Sequence, residues 1–224
     1  MRAGQTNCAA SAPALEKLCR AYWYPLYAFV RRRGADPQEA EDLTQEFFSH
    51  LFECNALKHL DEEKGKFRSF LLSALSNFLI NEWDKRSAQK RGGKCEIISW
   101  DQLNAEARYS HEPAHHLTPD RLFERRWAIV LLDHALQRLD SEYAAAGKQQ
   151  VYDALRDALT AETSAGFYSQ KAAELRMPEG SVRVALHRLR RRFGELLRSE
   201  IAYTVADAGE IEDEIRHLLK AIAE

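Results

Sequence analysis

The amino-acid sequence predicts an all-α protein built as two small helical domains joined by a linker. Three observations carry that expectation. Apolar residues recur at helical spacing along almost the whole chain, and no strand pattern or repeat interrupts them. Residues 92 to 120 break the period, with Gly92 and Gly93 at the start and Pro113 and Pro119 near the end. Residues 168 to 198, YSQKAAELRMPEGSVRVALHRLRRRFGELLR, read as two helices joined by a tight turn, which is the plan of a helix-turn-helix.

In chain order, residues 1–13 read as a short disordered lead. Leu15, Leu18, Tyr22, Leu26, Phe29 and Val30 then form one apolar stripe, with Pro25 inside it predicting a kink or a break between two helices. The next helix is marked by Asp36 as its cap, Pro37 at its first position and Glu39 closing a capping box; Ala40, Leu43, Phe47 and Leu51 are its buried face, and it should end near Phe52. A third helix runs from about Lys66 to Arg91 on a stripe of Phe67, Phe70, Leu71, Ala74, Leu75, Phe78 and Leu79, with Trp83 open between core and surface. The linker, 92–120, holds one short helical stretch at Trp100 to Arg108. Its acidic residues Glu96, Asp101, Glu106, Glu112 and Asp120 should keep it off a nucleic-acid backbone. Helices follow at about Leu122 to Leu139 and Ser141 to Thr160. An amphipathic tail, 204–224, carries Ile211, Ile215, Leu218, Leu219 and Ile222; it reads as a helix packed on its own domain or as a regulatory latch.

In the helix-turn-helix, Ser169 is the expected N-cap of the first helix, whose small face is Ala172, Ala173 and Leu175. Met177, Pro178, Glu179 and Gly180 form the turn. The second helix buries Val182, Leu186, Leu189 and Phe193 and leaves outside a face rich in Arg183, Arg188, Arg190, Arg191, Arg192 and Arg198. Residues near the start of such a helix reach base edges, so Ser181, Arg183, Val184 and His187 are the expected readers, with the later arginines placed for phosphates.

Composition bounds these readings. The 224 residues are 45% apolar and 29% charged, enough for a real core. The formal net charge is only −2, so any DNA-binding surface must be local and balanced by acidic surface, which points to a second, protein partner. Cys8, Cys19, Cys54 and Cys95 lie far apart without a CxxC pair, which fits a reducing cytosol. No apolar run has the length of a membrane span, and MRAGQTNCAASAP has no signal-peptide core.

The residues together resemble a known family. Ala40-Glu41-Asp42-Leu43-Thr44-Gln45-Glu46-Phe47-Phe48 resembles the region 2 helix of bacterial sigma-70 factors, Lys66 to Arg86 resembles the promoter-melting segment that follows it, and the helix-turn-helix resembles region 4. With only these two regions and a linker, the chain is similar to the extracytoplasmic-function (ECF) sigma factors, over residues 14–91 and 121–203.

The resemblance implies a promoter-specificity subunit with core RNA polymerase and promoter DNA as partners. It implies no catalytic centre, cofactor, metal, membrane or small-molecule substrate, and a cytoplasmic, nucleoid-associated location. Asp42, Gln45, Glu46 and Phe48 would dock on the clamp helices of the largest polymerase subunit; the first three share one helix face, and Phe48 beside them would be an apolar anchor. Arg68, Asn77, Asn81, Trp83, Lys85 and Arg86 would capture the unpaired strand of the −10 element, amides reading base edges, the indole stacking and the cations holding the backbone. Ser181, Arg183, Val184, His187, Arg188 and Arg191 would read the −35 element. The sequence departs from the common pattern at Asn81 and Asp84, at Val184 and Ala185, and in a lengthened stretch from Leu139 to Gly166. An anti-sigma factor, a regulatory kinase and the tail all stay open as controls.

Two other classes compete. One is a polymerase-independent helix-turn-helix regulator, which would need no docking helix. The other is a metal enzyme on His111, Glu112, His115, His116 and Asp120, set in a proline-bearing linker with no visible second shell.

Overall fold

The computed structural model describes residues 8–53, 67–88, 102–110, 117–161, 163–164, 166–205 and 207–223. Their secondary structure is helical, without a strand among the described residues: α1 (Cys8–Arg32), α2 (Pro37–Glu53), α3 (Phe67–Ala88), α4 (Gln102–Ser110), α5 (Pro119–Ala145), α6 (Gln149–Leu155), α7 (Phe167–Leu175), α8 (Glu179–Ala202) and α9 (Ile211–Ala223). The chain divides into two compact units, one of Met1–Ile129 with Ala202–Glu224 and the other of Val130–Ile201. The sequence reading set its boundaries at 120 and 203.

In the first unit α1 is continuous through Pro25, so the expected break between two helices does not occur there. Tyr22, Leu26, Phe29 and Val30 are all buried on the two sides of the proline, and that burial offsets the one backbone hydrogen bond proline removes. The helix begins at Cys8, so the disordered lead expected over 1–13 overlaps it; residues 1–7 lie outside the described residues. Gly34, at φ 100°, turns the chain into α2. Asp36 caps α2 as its sequence predicts, Oδ1 accepting from the Glu39 amide at 2.8 Å. Ala40, Leu43, Phe47 and Leu51 are buried, and Thr44, also buried, donates to the Ala40 carbonyl at 2.6 Å. On α3, Phe67, Leu71, Leu75 and Leu79 are buried, and Phe78 packs against Phe47 of α2 with ring centroids 5.7 Å apart.

The short helix of the linker exists and is docked. Ala105 is buried, and Glu106 takes a bidentate pair from Arg31 of α1, Nε at 3.0 Å and Nη2 at 2.7 Å, together with the Tyr27 hydroxyl at 2.6 Å. Arg31 also lies 4.8 Å from the Tyr109 ring, and Arg108 lies 4.0 Å from the Tyr24 ring. The glutamate expected to repel a nucleic-acid backbone is thus spent holding α4 to α1.

Helix α9 belongs to the first unit and not to the C-terminal domain, and its anchor is ionic. Glu214 is 2% exposed and accepts from Arg68 Nε at 3.0 Å; Arg68, 6% exposed, also donates Nη1 to Glu124 of α5 at 2.7 Å and lies 5.4 Å from the Trp127 ring. His217 Nε2 lies 3.2 Å from the same Glu124 oxygen. Leu218 is fully buried, whereas Leu219, expected in the apolar stripe, is 58% exposed.

In the second unit α5 runs to Ala145, where the sequence had placed a helix break near Asp140. Nothing in Leu139-Asp140-Ser141 stops a helix; Gly147 does, at φ 67°. There the Lys148 amide bonds the Tyr143 carbonyl at 2.8 Å and the Gly147 amide the Ala144 carbonyl at 3.0 Å, a Schellman closure. The helix expected over 141–160 is only α6 and a 3-10 turn, Arg156–Ala158. Helix α7 starts after Gly166, at φ 87°, so Ser169 sits inside its first turn and donates to the Gly166 carbonyl at 2.9 Å instead of capping. Ala173, expected on its packed face, is exposed. The turn is closed by Arg176 in the left-handed region, φ 52°, with the Met177 amide bonding the Ala172 carbonyl at 3.1 Å. Val182, Leu186 and Leu189 are buried as predicted, and the α8 core continues through Leu196, Leu197 and Ile201.

Two outcomes are expected. Arg68→Met leaves the Glu214 carboxylate buried without its cation and should cost about 3–5 kcal/mol in urea unfolding; Arg68→Met with Glu214→Leu should recover much of it. An unchanged midpoint in the single variant would show that the cluster carries no stability. The pair at α4 should respond to acid. Arg31 holds the Glu106 carboxyl below its ordinary value of 4.5, with the Tyr27 hydrogen bond adding to that and partial burial opposing it. Its contribution is therefore present above that value and is lost as pH falls through the lower, folded one. Hydrogen-exchange protection in α4 should collapse in that acid window in the native chain, whereas Glu106→Gln should weaken it at neutral pH already.

Candidate functional site

On α2 the helical period separates two faces. Asp42 and Glu46 are exposed one turn apart, with Gln45 half-buried beside them, so the polar strip expected from the sequence lies on the surface. Gln38 donates to Asp42 Oδ1 at 3.3 Å along the same face. Phe48 is placed differently. It is 6% exposed, against Phe47 and Phe52 with ring centroids 6.0 Å away in each case, so the side chain expected as an anchor for a partner packs inside. It follows Phe47 by a single residue, and α2 buries a stripe wide enough to include both.

On α3, Asn77 and Asn81 are exposed one turn apart and Trp83 is half-buried. Ile80, which the sequence reading did not single out, is 51% exposed between the two amides. Helical arithmetic could have found it, because it lies off the stripe of Leu71, Leu75 and Leu79. Arg68 is not brought to this face; Glu124 and Glu214 hold it. Lys85 and Arg86 lie on the backbone of α3, and their side chains are outside the described residues.

On α8, Ser181, Arg183, Val184, His187, Arg188 and Arg191 are all exposed, and Val184 is 49% so. The structure thus brings the predicted readers to one side of a helix whose opposite stripe is core. The arginines nevertheless divide by what their N–H groups do. Arg190 donates from Nε and Nη2 to the Ala158 carbonyl, at 3.1 and 2.7 Å, and from Nη2 to the Ala161 carbonyl at 2.8 Å, satisfying the end of the segment that follows α6. Arg192 makes a bidentate pair with Glu142 of α5, both bonds 2.7 Å, and a third bond to Glu195 at 3.0 Å. Those bonds hold the Glu142 carboxyl below its ordinary range. Arg192 and Arg191, which reaches Glu195 at 3.1 Å, lower the Glu195 carboxyl in the same way.

The metal-enzyme alternative falls mostly outside view: His111, Glu112, His115 and His116 are not among the described residues. Among those that are, no helix is long and apolar enough to cross a membrane.

Comparison with known proteins places a family on the N-terminal part of the chain. Residues 18–89 match the family model of sigma-70 region 2. They span most of α1, α2 and α3, and so include both the acidic strip of α2 and the amide face of α3. No curated protein and no solved structure matched. The match makes that segment similar to sigma-70 region 2.

Proposed function

We propose that this chain is a sigma factor of the ECF type: a non-catalytic subunit that binds core RNA polymerase, recruits it to promoters and helps to open them. The observation that carries the reading is the match to region 2 over a segment whose α2 exposes Asp42 and Glu46. Two carboxylates a turn apart on a rigid helix suit a basic partner surface, and their exposure means that pairing costs little desolvation until the partner arrives. Gln45 extends the strip. With Phe48 inside, docking relies more on charge than an exposed aromatic anchor would require.

In this reading the first unit carries the polymerase-docking and −10 surfaces, the second unit, Val130–Ile201, the −35 surface, and 204–224 is an added element. The amides of Asn77 and Asn81 hydrogen-bond splayed bases. Trp83 offers a stacking surface, Ile80 supports it with an apolar edge, and Lys85 and Arg86 hold the backbone. Ser181, Arg183, Val184 and His187 face base edges of the −35 element, while Arg188 and Arg191 neutralise phosphates. The protein works in the cytoplasm on nucleoid DNA.

The test is run-off transcription with purified bacterial core polymerase on a genomic fragment library, with and without the protein. Discrete new start sites are expected, and they should vanish with Asp42→Ala/Glu46→Ala while circular dichroism stays unchanged, because both side chains are exposed. Core binding that survives this double change would remove the acidic strip from the docking surface. Sequence-specific binding by the free chain with no core-dependent starts would establish the polymerase-independent regulator instead.

A further inference from the structure

The geometry points to Tyr168 as a positioning residue that holds Arg183 ready to read a guanine in the upstream promoter element. The inference rests on the reading of α8 as the base-reading helix and deepens it. Tyr168 stands on α7 and Arg183 on α8, and the guanidinium carbon lies 4.1 Å from the centroid of the phenol ring. This is within range of a cation–π contact across the two helices of the motif.

The kind of contact matters more than its strength. A guanidinium stacked on a ring spends its flat face and keeps its N–H groups, which point outward in its own plane. A guanidinium paired with a carboxylate or capping carbonyls spends those N–H groups. Arg190 and Arg192 are of the second kind, held by the Ala158 and Ala161 carbonyls and by Glu142 and Glu195. Arg183 has Glu179 as its carboxylate neighbour, at 3.9 Å, beyond hydrogen-bond length, and both side chains are more than half exposed. Glu179 therefore steers the cation by charge without occupying its donor edge. That edge is the one a bidentate contact to guanine O6 and N7 requires.

The ring is itself fixed. Phe167 packs edge-on against it, centroids 5.4 Å apart and planes at 86°, and the Thr163 hydroxyl lies 3.5 Å from the phenol oxygen. Gly166, in the left-handed region just before α7, sets the chain direction that brings Phe167 and Tyr168 into this corner. A long, exposed arginine otherwise samples many rotamers and gives up that freedom on binding. Tyr168 restricts it beforehand, so its contribution should appear as discrimination at one base pair rather than as general affinity.

The experiment selects a randomised duplex library with the full chain, free and with core polymerase, and compares Tyr168→Phe, Tyr168→Ala and Arg183→Ala with the native chain. The native chain should prefer guanine at one upstream position, and Arg183→Ala should erase that preference. Tyr168→Phe, which keeps the ring, should retain it. Tyr168→Ala should weaken it about two- to fivefold while leaving the dependence of affinity on salt unchanged, because the charge on Arg183 remains. If Arg183→Ala leaves every preference intact, or the native chain shows none, the reading of α8 fails and the inference with it. If Arg183→Ala relaxes one position and Tyr168→Ala does not, only the positioning role is overturned. Uniform weakening across all sequences in Tyr168→Phe would instead make the hydroxyl a phosphate contact, and a lower melting temperature with uniform weakening in Tyr168→Ala would make the ring structural; either result overturns the inference.

Discussion

The first compact unit is organised around a buried cation. Arg68 can lie inside because two carboxylates from far along the chain reach it, Glu124 on α5 and Glu214 on α9, and because the Trp127 ring stands nearby. Taking a guanidinium out of water is costly unless its pairing is good, so α3, α5 and α9 must meet in a register that delivers both partners. That requirement has a consequence for α3. At about 100° per residue, Asn77 lies nearly opposite Arg68 on the helix, and Asn81 lies close to Asn77. Once Arg68 is committed inward, the polar work of α3 falls to the far side, where Asn77, Ile80 and Asn81 are exposed.

The second unit applies the same economy to its arginines. The sequence shows a basic run, and the structure separates it by helical angle and by donor use. Arg190 closes carbonyls after α6, Arg192 clamps α5 through Glu142, and Arg183 lies over the Tyr168 ring. The first two hold the helix-turn-helix in shape. A basic run is therefore a poor measure of how many cations a ligand meets.

Local features were legible in the sequence, and long-range pairings were not. The Asp36 cap, the start of α2 at Pro37, the stripe of α3, the short helix in the linker and the buried face of α8 all follow from residues close together, where periodicity and capping chemistry operate. The exposed strip of Asp42 and Glu46 followed from the same arithmetic. What escaped was set by partners distant in sequence. Pro25 stays within one helix because both flanking turns are buried, and Arg68 faces inward because Glu214, at the other end of the chain, faces it. Phe48 escaped for a nearer reason: of two adjacent phenylalanines, a narrow stripe admits one, and α2 has a wide stripe that admits both. Ser169 misled because a capping residue type recurs three positions after the glycine that in fact caps the helix.

The net charge of −2 also takes a definite meaning. It is the sum of surfaces of opposite sign, not of a neutral surface: α2 shows carboxylates at Asp42 and Glu46, and α8 shows Arg183, Arg188 and Arg191. Screening acts over roughly 8 Å at physiological ionic strength, so a partner at either surface feels the local charge and little of the total. Affinity for a polyanion at α8 should then fall with salt in proportion to the phosphates that its outward arginines neutralise, however acidic the rest of the chain. Arg190 and Arg192 already have their partners and add little to that count. The arginines that keep α8 in place, Arg190 and Arg192, and the exposed ones that can meet DNA are thus different residues on one helix, distinguished by whether their N–H groups bond other segments of the protein; Arg191 pairs within α8 itself, with Glu195.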